Sequence, residues 1–101
     1  MPDSTRLDDC LSIREGRLFV EGCDAVELVG RFGSPLFVLS EDQLRRNLRR
    51  FREAFQRGWP HGTVQVLPAA KANWLRAALR IVASEGAGCA VYSPGELSAA
   101  P

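Results

Sequence analysis

Lysine is almost missing from this sequence: of thirteen basic residues twelve are arginine, and Lys71 stands alone. Arginine is the default surface cation here. It stays protonated and cannot condense with an aldehyde, whereas a desolvated lysine amine can. The lone lysine therefore points to a chemical need rather than a need for charge. Histidine is as scarce: His61 is the only one, and it sits in Gly58-Trp59-Pro60-His61-Gly62, where a turn residue is expected. Cys10, Cys23 and Cys89 are odd in number, widely spaced and lack a CxxC pair. That excludes a disulfide framework or a zinc knuckle, and no metal site is expected. No stretch approaches the ~20 apolar residues that span a bilayer. Met1 to Cys10 carries Asp3, Asp8 and Asp9 and no apolar run, so no secretory signal is expected. A net charge of +1 supplies no overall field toward nucleic acid or an anionic membrane. The simplest home is a reducing cytoplasm.

What is present suits a globular fold, with 46% apolar and 25% charged residues over 101 positions. Leu11 to Val20 alternates in polarity about Glu15-Gly16, which predicts a short hairpin. Asp24-Ala-Val-Glu27 has capping-box spacing and predicts a short helix that Gly33 ends. Leu36-Phe37-Val38-Leu39 reads as a buried strand. Ser40-Glu41-Asp42-Gln43 is a second capping box, followed by Leu44, Leu48, Phe51 and Phe55 at helical spacing, with arginines on the other faces. Thr63 to Ala70 predicts a strand that ends at Lys71. Asn73 is then placed to cap a helix bearing Leu75, Leu79 and Val82, which Gly86 and Gly88 end. Cys89 to Tyr92 is a further strand candidate, and Ser93-Pro94-Gly95-Glu96 opens a last helix with proline at its first position. From Ser40 onward the order is helix, strand, helix, strand, helix, the grammar of a parallel sheet covered by helices, so the fold class is α/β. Parallel strands need both faces covered, and two strands with two helices and the start of a third cannot supply that cover, so the chain is expected to be incomplete.

Side chains alternate along a strand, so Gln65, Leu67, Ala69 and Lys71 share one face, and Val64, Val66, Pro68 and Ala70 the other. Lys71 falls at the carboxyl end, where α/β sheets and barrels gather their chemistry. Alanine at 69, 70 and 72 leaves room beside the amine for a bulky ring. The string Ala69-Ala70-Lys71-Ala72-Asn73, then Glu85-Gly86-Ala87-Gly88-Cys89-Ala90-Val91-Tyr92-Ser93-Pro94-Gly95-Glu96-Leu97, with Gly33-Ser34-Pro35-Leu36-Phe37-Val38 upstream, resembles the diaminopimelate, ornithine and arginine decarboxylase family of fold-type III pyridoxal-phosphate enzymes. The resemblance covers about residues 11 to 100.

It implies an alanine-racemase-like (β/α)8 TIM barrel, with residues 1–39 contributing strands to a separate β domain and residues 40–101 forming the incomplete start of the barrel. It also implies pyridoxal 5'-phosphate as cofactor, Lys71 as the catalytic and cofactor-binding lysine, decarboxylation of an amino acid such as diaminopimelate, and a homodimer at full length. The 101 residues alone are then expected to be inactive. Two positions depart from the family pattern: Pro68 stands where an aromatic residue is usual, and Ala90 where an aspartate is frequent. Pro68 also deletes one ladder hydrogen bond. Glu96 matches a family acid, but its place in the capping box already accounts for it. An amino-acid racemase of the same superfamily is the nearest alternative. It is less favoured because Trp74-Leu75-Arg76 follows Asn73, rather than tyrosine, glycine and histidine. A small arginine-rich nucleic-acid-binding module is the rival from another class; Glu41, Asp42 and Glu53 offset much of the charge it would need. Cys89 is expected as a small buried hydrophobe, and Trp74 and Tyr92 as packing residues.

Overall fold

The computed structural model describes residues 9–73 and 75–101, and the chain divides into two compact units, Met1–Gln43 and Leu44–Pro101. Strands and helices are mixed along it. The reading of the first eight residues and of Trp74 lies outside the described residues.

In the first unit, β1 (Leu11–Arg14) and β2 (Arg17–Val20) form the expected hairpin, with Leu11 opposite Val20 and Arg14 opposite Arg17. Its two-residue turn puts both Glu15 and Gly16 at positive φ, 51° and 76°, the conformation that matches the right-handed twist of the strands. A third strand, β3 (Cys23–Asp24), pairs antiparallel with β2 and was not expected. Asp24 serves twice. One carboxylate oxygen accepts from the amides of Val26 and Glu27 at the start of α1 (Ala25–Phe32), and the other meets Arg17 Nε at 2.6 Å. Gly33, at φ 88°, ends α1 as its spacing predicted.

The Leu36–Leu39 strand does not form as expected. Among the described residues this segment has no ladder partner. Phe37 is fully exposed, and Val38 and Leu39 are about half exposed. An apolar run with Phe37 and Val38 favours extended backbone; a strand also needs a neighbour, which a local run cannot encode. Ser40 caps the next helix as expected, its hydroxyl accepting from the Gln43 amide at 3.0 Å. The Gln43 side chain also reaches across to the chain ahead of the hairpin. It accepts from the Cys10 amide at 3.0 Å, while the Glu21 carboxylate accepts from the Ser40 hydroxyl and the Asp42 amide.

The second unit is carried by α2 (Glu41–Gly58), α3 (Arg76–Ser84) and α4 (Pro94–Ala99). Of the predicted stripe on α2 only Leu48 is buried; Phe51 and Phe55 are half exposed, with ring centroids 4.8 Å apart. Among the described residues, the buried apolar ones of the unit are Leu48, Ala70, Ala78, Leu79 and Val82. The turn after α2 has a brace that the sequence pattern did not reveal: the Gln56 amide donates to the Trp59 and Gly62 carbonyls and accepts from the Val64 amide. His61 lies in this turn, edge-on to Trp59. Asn73 does not cap the helix as expected; it lies two residues before the cap position, Leu75. Its side chain accepts from the Leu75 amide at 3.1 Å, and Leu75 precedes α3 without a side-chain cap bond.

The end of α3 is tied by paired backbone bonds, Ala87 N to Val82 O and Gly86 N to Ala83 O, with Gly86 at φ 78°. This is the Schellman arrangement, which needs a left-handed residue just past the helix. Gly86→Ala should destabilise the protein by about 1–2 kcal/mol, because a Cβ makes that conformation costly. Space is not the obstacle, since the nearest atom to an added Cβ is Arg52 Nη1 at 3.9 Å. Chemical denaturation of the two proteins side by side checks it.

Candidate functional site

The expected pair of parallel strands is present in reduced form. Gly88 N donates to Val66 O at 2.9 Å, Ala90 N to Pro68 O at 3.0 Å, and Ala70 N to Ala90 O at 2.9 Å. Together they make one parallel bridge, Ala69 to Ala90, where the residue pattern predicted two full strands. Pro68 supplies a physical reason. The next rung of the ladder would run from the amide of residue 68 to the Gly88 carbonyl, and proline has no amide hydrogen. Gly88 fits the close approach at this point, because an added Cβ would lie only 3.0 Å from Leu67 Cγ.

The alternation of faces is as read: Val64, Val66 and Pro68 are half-buried and Ala70 is 1% exposed, while Gln65, Leu67 and Lys71 are exposed. Lys71 sits directly after the bridge, on a single 3-10 turn, Ala70–Ala72. Its amine is neither walled in nor deep; alanines flank it on both sides in sequence, and it lies at the carboxyl end of the paired segment.

One residue beside it was missed. The Lys71 ammonium lies 4.8 Å from the centroid of the Tyr92 ring. Lys71 and Tyr92 each lie two residues beyond the bridged pair Ala69 and Ala90, on the segments that lead out of it. That register was the available signal, but it requires knowing which residues pair. Tyr92 is 67% exposed, so it is not the packing residue expected. Its backbone is held from behind: the Glu96 carboxylate accepts from the Tyr92 amide at 3.3 Å and from the Ser93 hydroxyl at 2.8 Å. Ser93 in turn caps α4, accepting from the Glu96 amide at 3.1 Å. Glu96 is buried and engaged in this cap. Cys89 is half-buried on the same segment.

An open apolar groove of about 440 Å³ runs between α2 and residues 65–68, lined by Leu44, Leu48, Phe51, Val66, Leu67 and Pro68 among others. Lys71 does not line it. Among the described residues no cluster of three or more histidine, cysteine, aspartate or glutamate side chains is placed to hold a metal ion, and no helix is long and apolar enough to cross a membrane.

Three of the six arginines of α2, which a nucleic-acid module would turn toward phosphates, are drawn to the end of α3. Arg49 grips Glu85 with two parallel bonds of 2.8 and 2.9 Å, Arg45 adds a third at 2.9 Å, and Arg52 donates to the Glu85 carbonyl. Forked guanidinium bonds of this kind are among the stronger polar contacts, and cations at a helix carboxyl end also suit its dipole. The hydrogen bonds from Arg49 and Arg45 hold the Glu85 carboxyl down at about 2, from an ordinary 4.5. A depressed carboxylate contributes stability that is fully present above its unfolded value and lost as pH falls through the folded one. Resistance to denaturant should therefore fall as pH drops from about 4.5 toward 2, and Glu85→Gln should flatten that part of the profile. Denaturation midpoints measured from pH 6 to pH 2 check this.

No family model matches the chain. Individual proteins do. It is 44% identical over 93 residues to diaminopimelate decarboxylase of Methanocaldococcus jannaschii, which covers 89% of this chain and 21% of that protein. It is 42% identical over 83 residues to the diaminopimelate decarboxylase of Methanothermobacter thermautotrophicus, covering 82% and 19%. Among solved structures, the M. jannaschii diaminopimelate decarboxylase superposes with a TM-score of 0.85 at 44% identity, over 92% of this chain and 22% of that one. A chain from Aquifex aeolicus gives 0.73 at 35% identity, over 90% and 21%. The chain spans about a fifth of the length of the relatives it matches. Over most of its own residues, in sequence and in backbone, it is a homologue of the diaminopimelate decarboxylases.

Proposed function

We propose that these residues form the opening part of a pyridoxal-phosphate-dependent decarboxylase of diaminopimelate, and that Lys71 is the residue to which the coenzyme attaches. The observation that carries the reading is the placement of Lys71: a single primary amine, exposed, at the carboxyl end of a parallel-paired segment, with alanine at 69, 70 and 72. That setting fits an aldehyde-bearing ring, since the amine can reach it and the methyl groups beside it leave space. When bound, the coenzyme supplies the electron sink that lets carbon dioxide leave the substrate's α-carbon. Lys71 Nζ would bind the coenzyme and, once free, take or return a proton at the same atom. Tyr92 stands alongside, and the Ser93–Glu96 cap fixes the segment that carries it.

On this reading residues 1–39 contribute strands to a β domain, and residues 40–101 begin an alanine-racemase-like (β/α)8 barrel. The order helix, paired segment, helix, paired segment, helix supports the latter. The complete enzyme is a cytoplasmic homodimer of lysine biosynthesis. One M. jannaschii structure was solved with L-lysine, which is what remains when diaminopimelate loses one carboxylate as carbon dioxide. Reduction of the complete, coenzyme-loaded protein with borohydride, followed by peptide mapping, should place the coenzyme label on the peptide containing Lys71. A label on another lysine, or none, would overturn the assignment.

A further inference from the structure

We propose that Tyr92 is a positioning residue for Lys71: the face of its ring holds the free amine at the carboxyl ends of the two paired segments, presenting it at one place before the coenzyme arrives. The proposal rests on the reading of Lys71 as the coenzyme lysine. Its geometric basis does not, because the contact exists in the protein alone.

The ammonium lies 4.8 Å from the ring centroid, inside the range of about 6 Å over which the negative face of an aromatic ring attracts a cation. Nothing else described competes for it. The flanking Ala70 and Ala72 offer no acceptor side chain, and no carboxylate among the described residues pairs with Lys71. The ring is well anchored at its base. The Tyr92 amide is tied to the Glu96 carboxylate, which is itself buried and bonded to the Ser93 hydroxyl at the start of α4. A lysine has four rotatable side-chain bonds, so an amine held only by its own stem would sweep a wide volume. Holding its tip over a ring fixed to a helix start confines that sweep to the region a coenzyme aldehyde must enter. The contact uses the ring face, so the phenol hydroxyl is not required and phenylalanine should serve.

The test uses the complete protein stripped of coenzyme, in parent, Tyr92→Leu and Tyr92→Phe forms. Lys71 is acetylated with acetic anhydride and the rate read by peptide mapping. Separately, its amine is reductively methylated with ¹³C formaldehyde, which keeps the positive charge, and its methyl resonance is assigned by its loss in Lys71→Arg. Acylation requires the amine to leave the ring, so Tyr92→Leu should react about two- to five-fold faster. Its methyl resonance should lose the upfield displacement that a ring face imposes. Tyr92→Phe should match the parent in both. An unchanged rate and resonance in Tyr92→Leu would overturn the proposal. So would a parent methyl resonance with no upfield displacement, a result that needs no variant to fold. A borohydride label away from Lys71 would remove the coenzyme role, and with it the positioning role, while leaving the methyl displacement intact, so the two failures are distinguishable.

Discussion

Replacing Lys71 by arginine in the complete enzyme is expected to abolish the absorbance of covalently bound coenzyme and to lower turnover by at least roughly 10²–10⁴-fold, the range associated with losing one positioned proton-transfer group. That is about 3–5 kcal/mol of barrier. The choice of arginine separates chemistry from charge. A guanidinium keeps the cation and can lie over an aromatic ring such as Tyr92, so the electrostatics of the 4.8 Å contact survive. It stays protonated at any working pH and cannot condense with an aldehyde, so the attachment and the proton transfers are both lost. Absorbance and turnover measured on the same preparation check the expectation. A variant that kept both would mean that the amine at 71 is not the attachment point.

Two features that single out Lys71 were legible in the sequence, and they are of different kinds. Its isolation among twelve arginines is compositional, and its place at the end of Thr63 to Ala70 follows from period-two alternation. The burial of Ala70 and exposure of Lys71 agree with that alternation. Elements with local punctuation were legible too: the Glu15-Gly16 turn, the Asp24 and Ser93 caps and the Gly86 stop each depend on residues within a few positions of one another. What was not legible depends on partners distant in sequence. The run Leu36–Leu39 has the composition of a buried strand, yet no described segment pairs with it. Pro68 announces one missing ladder hydrogen bond, but not that the parallel pairing shrinks to a single bridge. Tyr92 could not be set beside Lys71 until the bridge from Ala69 to Ala90 fixed the register. Glu85 was likewise part of a quoted motif, and only the approach of α2 to the end of α3 made it the focus of three arginines.

The predicted stripe on α3 treated Leu75, Leu79 and Val82 alike, and burial separates them: Leu79 is 4% exposed and Val82 7%, whereas Leu75 is 58% exposed. Leu79→Ala should therefore cost about 2–5 kcal/mol, combining the lost transfer of its side chain from water with the cavity left behind. Among the described residues the buried apolar set of the second unit has five members, two of them alanine, so few large described neighbours are available to close that cavity. Leu75→Ala should stay within about 0.5 kcal/mol, as for an exposed site. Urea denaturation provides the comparison: the midpoint should fall for Leu79→Ala with the slope unchanged, and hold for Leu75→Ala. Ala70, 1% exposed and adjacent to Lys71, belongs to the same short buried set, so a loosened interior is expected to loosen the turn that carries the amine. At urea concentrations just below the transition, Lys71 in Leu79→Ala should lose its distinctive acetylation rate before the parent does. An equal cost for both leucine substitutions would show that helical spacing, not the burial seen at each position, decides which side chains hold α3.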